Sequence, residues 1–451
     1  MDVLHVTHQS APETRGGVES YVADVTREQM RRGLSVHLLT GSHVPWEKVG
    51  IEDFVHEGLP VHKLHRDDWF FDLHSKAWHP GARRAIAEFV ARERPGVVHL
   101  HHWIRLSSDL VDAIQALGVP VVVTLHDFYT SCPRAFRMRP GSSACHRPLS
   151  VESCLDCVPR YGHESAEELS EGILLFRDQY RSELRRADAV IVGVESTADM
   201  VSSKLGVDRS LFRVLPLGYR RRFDGLARPR PPLPGEAVRF AFWGGVAKHK
   251  GIDVLVEACR ILCARNPKPR FEMHVLGGFA TPELEHELRG AGDGLPIRFH
   301  GPFTIEELLS VAPHVGVFPS TCLETFGIVL DECVELGLPS IVSNHGALAA
   351  RAGQGALRAK PGDPADLAAK ILSLCEDRSA HERLREGLPD LPPPVEAHCD
   401  ALAAIYEEAR RRRASAPPWP PEVGDERRAA FLLRQRESAL GRAAPSGPKD
   451  P

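Results

Sequence analysis

The most informative segment of the chain is Pro319-Ser320-Thr321-Cys322-Leu323-Glu324-Thr325-Phe326-Gly327-Ile328-Val329-Leu330-Asp331-Glu332. The apolar run 315–318 before it predicts a short buried strand. From Thr325 onward the pattern predicts a helix that ends at Gly337. Glu324 therefore lies at a strand-to-helix turn, and Glu332 lies about two turns along the helix.

The start of this helix predicts an anion site. The backbone N–H groups of Phe326, Gly327 and Ile328 would be unpaired there, and such groups bind phosphate. Two hydroxyl-binding carboxylates, Glu324 and Glu332, stand beside them. Glutamates at this spacing on a helix usually form a solvated face, so the bare pair is weak and its flanking residues carry the hypothesis. The combination suits a sugar nucleotide.

The segment resembles the retaining glycosyltransferases of family 4, the glycosyl transferases group 1. Members of that family carry a glutamate, seven residues and a second glutamate in a Pro-Ser…Glu-x-Phe-Gly context, which this chain keeps from Pro319 to Glu332. The resemblance covers nearly all of residues 1–412. It implies an α/β GT-B fold, in which two Rossmann-like doubly wound domains face a central cleft.

Composition fits a globular enzyme of two domains. The chain has 451 residues, a formal net charge of −4 and a pI near 6.6, so nothing in its charge asks for nucleic acid. We find no apolar run of transmembrane length and no secretory signal. We therefore expect a cytoplasmic protein, with peripheral contact to the inner membrane face left open.

Strand-then-helix units run along the chain in two series. The expected strands are 3–7, 35–40, 97–101, 120–125 and 189–193 in the first series, and 238–243, 271–276, 297–300, 315–318 and 340–343 in the second. The expected domains are 1–218 on the acceptor side, a linker 219–237, a donor-nucleotide-binding domain 238–394, a helix 395–413 that crosses back to the first domain, and a disordered tail 414–451.

Gly16 and Gly17 follow the first strand and precede a predicted helix from Val18 to Arg32. A Gly-Gly turn allows backbone amides to approach a ligand phosphate closely, although an isolated pair is more often only a flexible turn. The sequence Gly-Gly-Val-Glu-Ser-Tyr-Val is similar to the family's opening segment. The resemblance therefore assigns both glycines to donor binding.

Lys250 lies in the loop after the first strand of the second series. In the family an arginine and a lysine of this loop clamp the donor diphosphate, and Lys250 matches the lysine. Gly245 stands where the arginine is often found, with Lys248 nearby as a substitute charge. Gly244, at the strand end, is the other donor-binding candidate. An ordinary solvated lysine is the alternative for Lys250.

His126 ends the predicted strand Pro120-Val-Val-Val-Thr-Leu-His126. A histidine at this end of a strand faces the ligand cleft in such a fold, and the sequence Thr-Leu-His-Asp matches the family's cleft histidine, which contacts the transferred sugar. Asp127 is the candidate to orient the ring. The alternative is a core histidine, one of 23 in the chain.

Four cysteines follow His126: Cys132, Cys145, Cys154 and Cys157. The spacing Cys154-x-x-Cys157 is typical of half a zinc site, whereas the other pair is more loosely spaced. A subset of the family has a similar cysteine-rich insert. We favour a structural tetrathiolate zinc, with a disulfide or unliganded thiols as the alternatives.

The resemblance implies a retaining hexosyltransferase. A UDP- or GDP-sugar would be the donor, and the acceptor would be a sugar, a lipid-linked sugar or a small molecule. The product would be a polysaccharide, a glycolipid or a glycosylated metabolite. Glu332 would bind the ribose hydroxyls and Glu324 the sugar. Lys250 and the glycines would stabilise the departing diphosphate, so Glu324, His126 and Lys250 carry the chemistry and no cofactor is required for it.

Two alternatives stay open. One is a sugar-nucleotide epimerase or hydrolase on the same fold, although the acid–base residues that such enzymes place around the anomeric carbon are not evident in the sequence. The other is a non-catalytic nucleotide-sugar-binding homologue. Gly245 in place of the arginine, and Ala350 where the family often has a glutamate, support it.

Overall fold

The computed structural model of the protein describes residues 1–14, 16–68, 77–141, 143–158, 160, 164–415, 427–431 and 434–435. These residues form two compact units. The first comprises Met1–Arg137, His146–Gly218 and Val395–Pro451, and the second comprises Met138–Cys145 and Tyr219–Pro394.

Most of the described strands belong to two sheets. The strands are β1 (Val3–Thr7), β2 (Val36–Gly41), β3 (Gly50–His56), β4 (Leu59–His65), β5 (Val97–Leu100), β6 (Val121–Leu125), β7 (Met138–Arg139), β8 (Ser143–Ala144), β9 (Ala189–Val192), β10 (Phe212–Val214), β11 (Val238–Trp243), β12 (Phe271–Leu276), β13 (Ile297–Gly301), β14 (Val315–Phe318), β15 (Ser340–Ser343) and β16 (Ala356–Ala359).

Helices connect these strands in both units. They are α1 (Gly17–Arg31), α2 (Pro80–Glu93), α3 (Leu110–Gln115), α4 (Val151–Cys154), α5 (Ala166–Arg186), α6 (Glu195–Leu205), α7 (Ile252–Cys263), α8 (Pro282–Ala291), α9 (Ile305–Val311), α10 (Ile328–Leu336), α11 (Gly346–Arg351), α12 (Pro364–Glu376), α13 (Ser379–Glu386) and α14 (Val395–Ser415).

The sheet of the first unit has eight described strands in the order β10-β9-β6-β5-β1-β2-β4-β3, and among them only β3 runs antiparallel to its neighbour. The strand order reverses between β1 and β5, because β2 follows on one side and β6 on the other. In open α/β sheets ligands bind at such a switch point, beyond the carboxyl ends of the strands.

The sheet of the second unit has six described strands in the order β13-β12-β11-β14-β15-β16, all parallel. Its strand order reverses between β11 and β14. A continuous apolar core lies against this sheet and contains Trp243, Phe318 and Leu336. The expected α/β class with two parallel sheets is confirmed. The segments after β11 and β14 therefore occupy the ligand-binding edge of this unit.

The hairpin β3–β4, in the segment 43–80, is not among the strands expected from the sequence. Glu57 and Gly58 form its turn, both with positive φ, of 50° and 81°. The strands carry little regular apolar alternation, which hid them. Residues 69–76 of the same segment lie outside the described residues.

The segment after α14 was expected to be disordered from residue 414. The helix continues to Ser415, and residues 427–431 are helical as well, with Phe431 only 5% exposed. Arg434 donates to Glu171 on α5 at 2.5 Å. Most of the remaining tail lies outside the described residues, so disorder stays a prediction there. None of the helices within the described ranges is long and apolar enough to span a membrane.

Candidate active site

The loop after β14 brings the first predicted carboxylate to the switch point of the second unit. Oε1 of Glu324 lies 2.6 Å from Nζ of Lys250 and accepts a hydrogen bond of 2.8 Å from Oγ of Ser320. The sequence predicts Glu324 and Lys250 in the same site, each bound to a different part of the ligand. The structure instead joins them directly.

The Glu324–Lys250 pair is ionised. Burial alone would raise the pKa of Glu324, but the neighbouring ammonium of Lys250 and the hydrogen bonds outweigh it and leave this pKa below its usual value. Burial opposes the charge of Lys250 too, and attraction to Glu324 leaves the lysine pKa raised. This largely buried pair provides two charged groups that are already in place. The ammonium of Lys250 can bind an anion, and the carboxylate of Glu324 can accept hydrogen bonds from hydroxyls.

The loop that carries Lys250 is tied to the segment after β14. The carbonyl of His249 accepts hydrogen bonds from the backbone amide of Thr321, at 3.0 Å, and from that of Cys322, at 3.2 Å. Gly251 follows with a φ of 72°, and a Cβ there would lie 2.0 Å from the carbonyl oxygen of Pro319. Only glycine permits this approach.

Glu332 lies in the second turn of α10. Its Oε2 accepts a 2.6 Å hydrogen bond from the indole Nε1 of Trp243, the last residue of β11, and Arg222 stands 3.7 Å from its Oε1. Burial raises the pKa of Glu332, and the guanidinium and the indole lower it only in part. Trp243 and Arg222 were missed in the sequence, where only the strand-end position of Trp243 offered a signal.

The helix begins later than expected. We predicted helical residues from Thr325, but α10 starts at Ile328 because Gly327 adopts a φ of 81°, in the left-handed region. Phe326 and Gly327 therefore belong to the preceding turn. The amides without an intrahelical partner are those of Ile328 and Val329, while Leu330 donates to the Gly327 carbonyl at 3.0 Å.

Arg351 fixes this turn from α11. Its guanidinium donates to the carbonyls of Phe326 at 2.8 Å and Gly327 at 3.2 Å, and pairs with Asp331 at 2.5 Å. It also lies 3.5 Å from the centre of the Phe326 ring. With these carbonyls bound, the amides of the turn are held in one orientation. This arginine too was missed in the sequence.

Gly244 and Gly245 follow β11 on the same edge. The Gly244 amide donates to Leu276 at 3.0 Å, and a Cβ at either glycine would meet no described atom within 4 Å. Lys248, the candidate to replace the missing arginine, is 58% exposed and pairs with Glu287 at 3.1 Å. It therefore forms a surface ion pair and does not join Lys250 and Glu324.

Gly16 and Gly17 start α1 at the switch point of the first unit. A Cβ at Gly16 would lie 2.5 Å from Oε2 of Glu19, so the carboxylate of Glu19 bends back over the helix start. A negative charge stabilises this end of a helix. A phosphate that reached these amides would also meet the charge of Glu19, which the sequence analysis did not consider.

His126 follows β6 in the same unit. Its Nε2 lies 3.0 Å from Nδ1 of His101. Burial lowers the pKa of His126 to about 3, so the ring is neutral. Asp127 was expected to orient this ring, but its oxygens bind Nε2 of His102 at 3.0 Å and the Tyr129 amide at 2.8 Å. His101 is the residue that holds Nε2 of His126.

The cysteine-rich segment contains the short helix α4, and the Cys157 amide donates to the Cys154 carbonyl at 2.9 Å. This is the local turn that a Cys-x-x-Cys pair needs to chelate a metal. Within the described ranges, two groups of three side chains place their ligand atoms within 4.8 Å of one another, His5-His99-His101 and Asp67-Asp68-His79. The four cysteines are not among these groups, and their zinc stays a prediction.

Comparison with known proteins identifies the family of this chain. The family described as Glycosyltransferase Family 4 matches residues 15–221, and the family described as Glycosyl transferases group 1 matches residues 237–377. The chain is therefore a family 4 glycosyltransferase.

Its relatives include two D-inositol 3-phosphate glycosyltransferases. The one from Geodermatophilus obscurus is 27% identical over 89% of this chain and 86% of its own length. The one from Thermomonospora curvata is 28% identical over 90% of this chain and 94% of its own length.

Solved structures show the GT-B fold. Anabaena HepE in complex with UDP and glucose has a TM-score of 0.57 at 15% identity and covers 92% of this chain and 100% of its own. The catalytic domain of Arabidopsis thaliana starch synthase IV, bound to ADP and acarbose, has a TM-score of 0.59 at 14% identity. The match covers 91% of this chain and 99% of that domain.

Proposed function

We propose that this glycosyltransferase moves a hexose from a nucleoside diphosphate sugar, a UDP- or GDP-sugar, to an acceptor hydroxyl with retention of the anomeric configuration. The observation that carries the proposal is the switch point of the second unit. There an ionised Glu324–Lys250 pair, a Glu332 held by Trp243 and a helix start lie on one edge of the sheet.

The nucleotide end belongs to Glu332. Trp243 donates to one of its oxygens and so fixes the direction of the carboxylate. A fixed carboxylate accepts hydrogen bonds from the two ribose hydroxyls at a smaller entropic cost than a mobile one. Arg222, 3.7 Å away, favours the ionised form that accepts best.

Lys250 would bind the diphosphate of the donor, and Glu324 would bind its sugar. Negative charge develops on the leaving phosphate as the glycosidic bond breaks, and donors that are already in place stabilise it without reorganisation. Lys250 and the amides of Ile328 and Val329 supply such donors. Glu324 then accepts from the sugar hydroxyls, and the open backbone at Gly244 leaves room for the phosphates.

For His126 and the Gly16–Gly17 turn of the first unit, we keep the roles that the family resemblance implies. His126 is neutral, and a neutral imidazole can exchange hydrogen bonds with sugar hydroxyls without placing a second positive charge beside the oxocarbenium-like carbon. This supports its assignment to the transferred sugar. Structural zinc at Cys132, Cys145, Cys154 and Cys157 is proposed from their spacing alone.

The proposed acceptor is a sugar, a lipid-linked sugar or a small molecule. A lipid-linked acceptor would bring the enzyme into peripheral contact with a membrane. The names of the relatives make D-inositol 3-phosphate one compound to test.

The experiment is a screen of UDP- and GDP-sugars by thermal shift, followed by turnover with an acceptor panel. Proton NMR of the new linkage should show the donor's α configuration. An inverted product contradicts retention. Binding without any turnover or donor hydrolysis identifies a non-catalytic homologue.

A further inference from the structure

A group of histidines lies behind His126 in the first unit. His5 is inside β1, His99 is inside β5 and His101 follows β5, and each is no more than 1% exposed. These positions flank the switch point between β1 and β5. Neutral imidazoles in such a place must find hydrogen-bond partners, because an unpaired buried polar group is costly.

The hydrogen bonds form one line that ends at His126. Nε2 of His126 lies 3.0 Å from Nδ1 of His101, and Nε2 of His101 lies 2.9 Å from Nδ1 of His5. Nε2 of His5 in turn lies 2.8 Å from Oε1 of Gln29 on α1. Gln29 is 2% exposed, so water does not compete for this end of the line.

The line has a direction. An amide oxygen only accepts, so Nε2 of His5 carries the proton and its Nδ1 is an acceptor. His101 must then donate from Nε2 and accept at Nδ1. His126 must in turn donate from Nε2, which leaves the lone pair on its Nδ1.

We propose that Gln29 is a positioning residue, which fixes His126 as the tautomer with its proton on Nε2 through His5 and His101. Nδ1 is then the acceptor nitrogen of the His126 ring. The effect of this tautomer on the reaction rests on the proposed role of His126, whereas the assignment of the tautomer does not.

A second branch binds the nitrogen of the Gln29 amide. This Nε2 donates to the hydroxyl of Tyr406 at 3.4 Å, and that hydroxyl lies 2.7 Å from Nδ1 of His99. Nε2 of His99 is bonded to Oγ1 of Thr124 at 2.7 Å. Rotating the amide by half a turn would reverse the bonds of both branches together, so the orientation of Gln29 and the tautomer of His126 change as one.

The rings of His5, His99 and His101 are neutral. Burial lowers the pKa of His5 to about 4 against the opposing effect of the hydrogen bond that His5 donates to Gln29, and burial lowers the pKa of His99 and His101 well below the usual value. Each ring therefore has one donor and one acceptor nitrogen at neutral pH.

A metal site at His5, His99 and His101 is the competing interpretation, since their ligand atoms lie within 4.8 Å of one another. All six ring nitrogens already have the hydrogen-bond partners named above. A metal ion would need a lone pair from each ring in place of these bonds. The hydrogen-bonded line therefore fits the structure better.

The test is the ¹⁵N NMR signature of His126 in the full chain, assigned with a His126→Gln variant. We expect a protonated-type Nε2 and an unprotonated-type Nδ1 in the native protein. Gln29→Met removes the acceptor and should average the two nitrogens. His101→Phe should change the His126 signature as well, and adding Gln29→Met to it should change nothing more, because the line is already broken.

Gln115→Met is the matched control, because Gln115 is a buried glutamine of the same unit whose amide donates to the Arg186 carbonyl at 2.5 Å and to Asp188 at 3.0 Å, outside both branches. It should lower the melting temperature without changing the His126 signature. The proposal is overturned if the native His126 carries its proton on Nδ1, or if Gln29→Met leaves its signature unchanged. Tight binding of one Zn²⁺ that shifts His5, His99 and His101 together would establish the metal site instead. None of these outcomes depends on turnover.

Discussion

Nζ of Lys250 lies 2.6 Å from Oε1 of Glu324, which makes each residue the counterion of the other. The sequence predicts that the lysine binds the diphosphate and that the glutamate binds the sugar. Their contact means that these two proposed roles are coupled, since a ligand phosphate that draws the lysine away also changes the charge environment of the glutamate.

Lys250→Met should abolish most turnover, because the variant loses the donor to the leaving phosphate and leaves Glu324 without its cation. Removing one partner of a fully buried pair costs about 3–5 kcal/mol of stability. The side chains of this pair keep 30% and 17% of their exposure, so we expect a loss toward the lower end. Steady-state kinetics and thermal melting measure the two effects. Lys248→Met is the control, because Lys248 pairs with Glu287 on the surface. Equal losses in the two variants would contradict the assignment.

Glu332→Ala should weaken binding of the free nucleoside diphosphate by about 1.5–3 kcal/mol, because a hydrogen bond to a charged group is lost. Calorimetric titration measures this. Glu285 on α8 offers a comparison because it pairs with Arg289 on the surface at 2.9 Å. Glu285→Ala should leave both the stability and the affinity nearly unchanged. The same affinity in both variants would remove the ribose role from Glu332.

Structural zinc predicts about one metal per chain in elemental analysis and lower stability in chelator. The basis is the Cys154-x-x-Cys157 spacing and its turn. Replacing Cys154 and Cys157 by serine should then unfold the 128–165 segment and reduce activity. Cys259→Ser is the control at a buried cysteine far along the chain. A protein with no metal, whose melting is the same in chelator, would leave a disulfide or plain thiols.

The sequence predicted most strands of both sheets, because buried parallel strands are short apolar runs whose ends are marked by glycine or proline. The prediction was wrong where a single backbone angle sets the boundary of a helix. At Gly327 a positive φ delays the start of α10. The prediction also failed where partners are distant in sequence. The contacts of Trp243 with Glu332 and of Gln29 with His5 join residues 89 and 24 positions apart, and no local pattern reveals them.

The buried histidines predict how stability depends on pH. Burial lowers the pKa of His5 to about 4 and that of His126 to about 3, from an ordinary value of 6.5. The unfolded chain therefore binds protons first as the pH falls. Stability from these groups is complete above about pH 6.5 and is lost toward the lower folded values, by about 1.4 kcal/mol per pH unit for each group.

His99→Gln tests this without emptying the site, because glutamine keeps two polar atoms for Tyr406 and Thr124. Urea unfolding at about pH 7.5 and about pH 5.5, on either side of the ordinary histidine pKa, gives the loss of unfolding free energy for each protein. The native protein should lose more than the variant by about 1.4 kcal/mol in total, because one histidine changes the stability only over the pH unit below its ordinary pKa of about 6.5. Histidines elsewhere contribute equally to both and cancel in the difference. Identical losses would show that folding does not lower the pKa of His99.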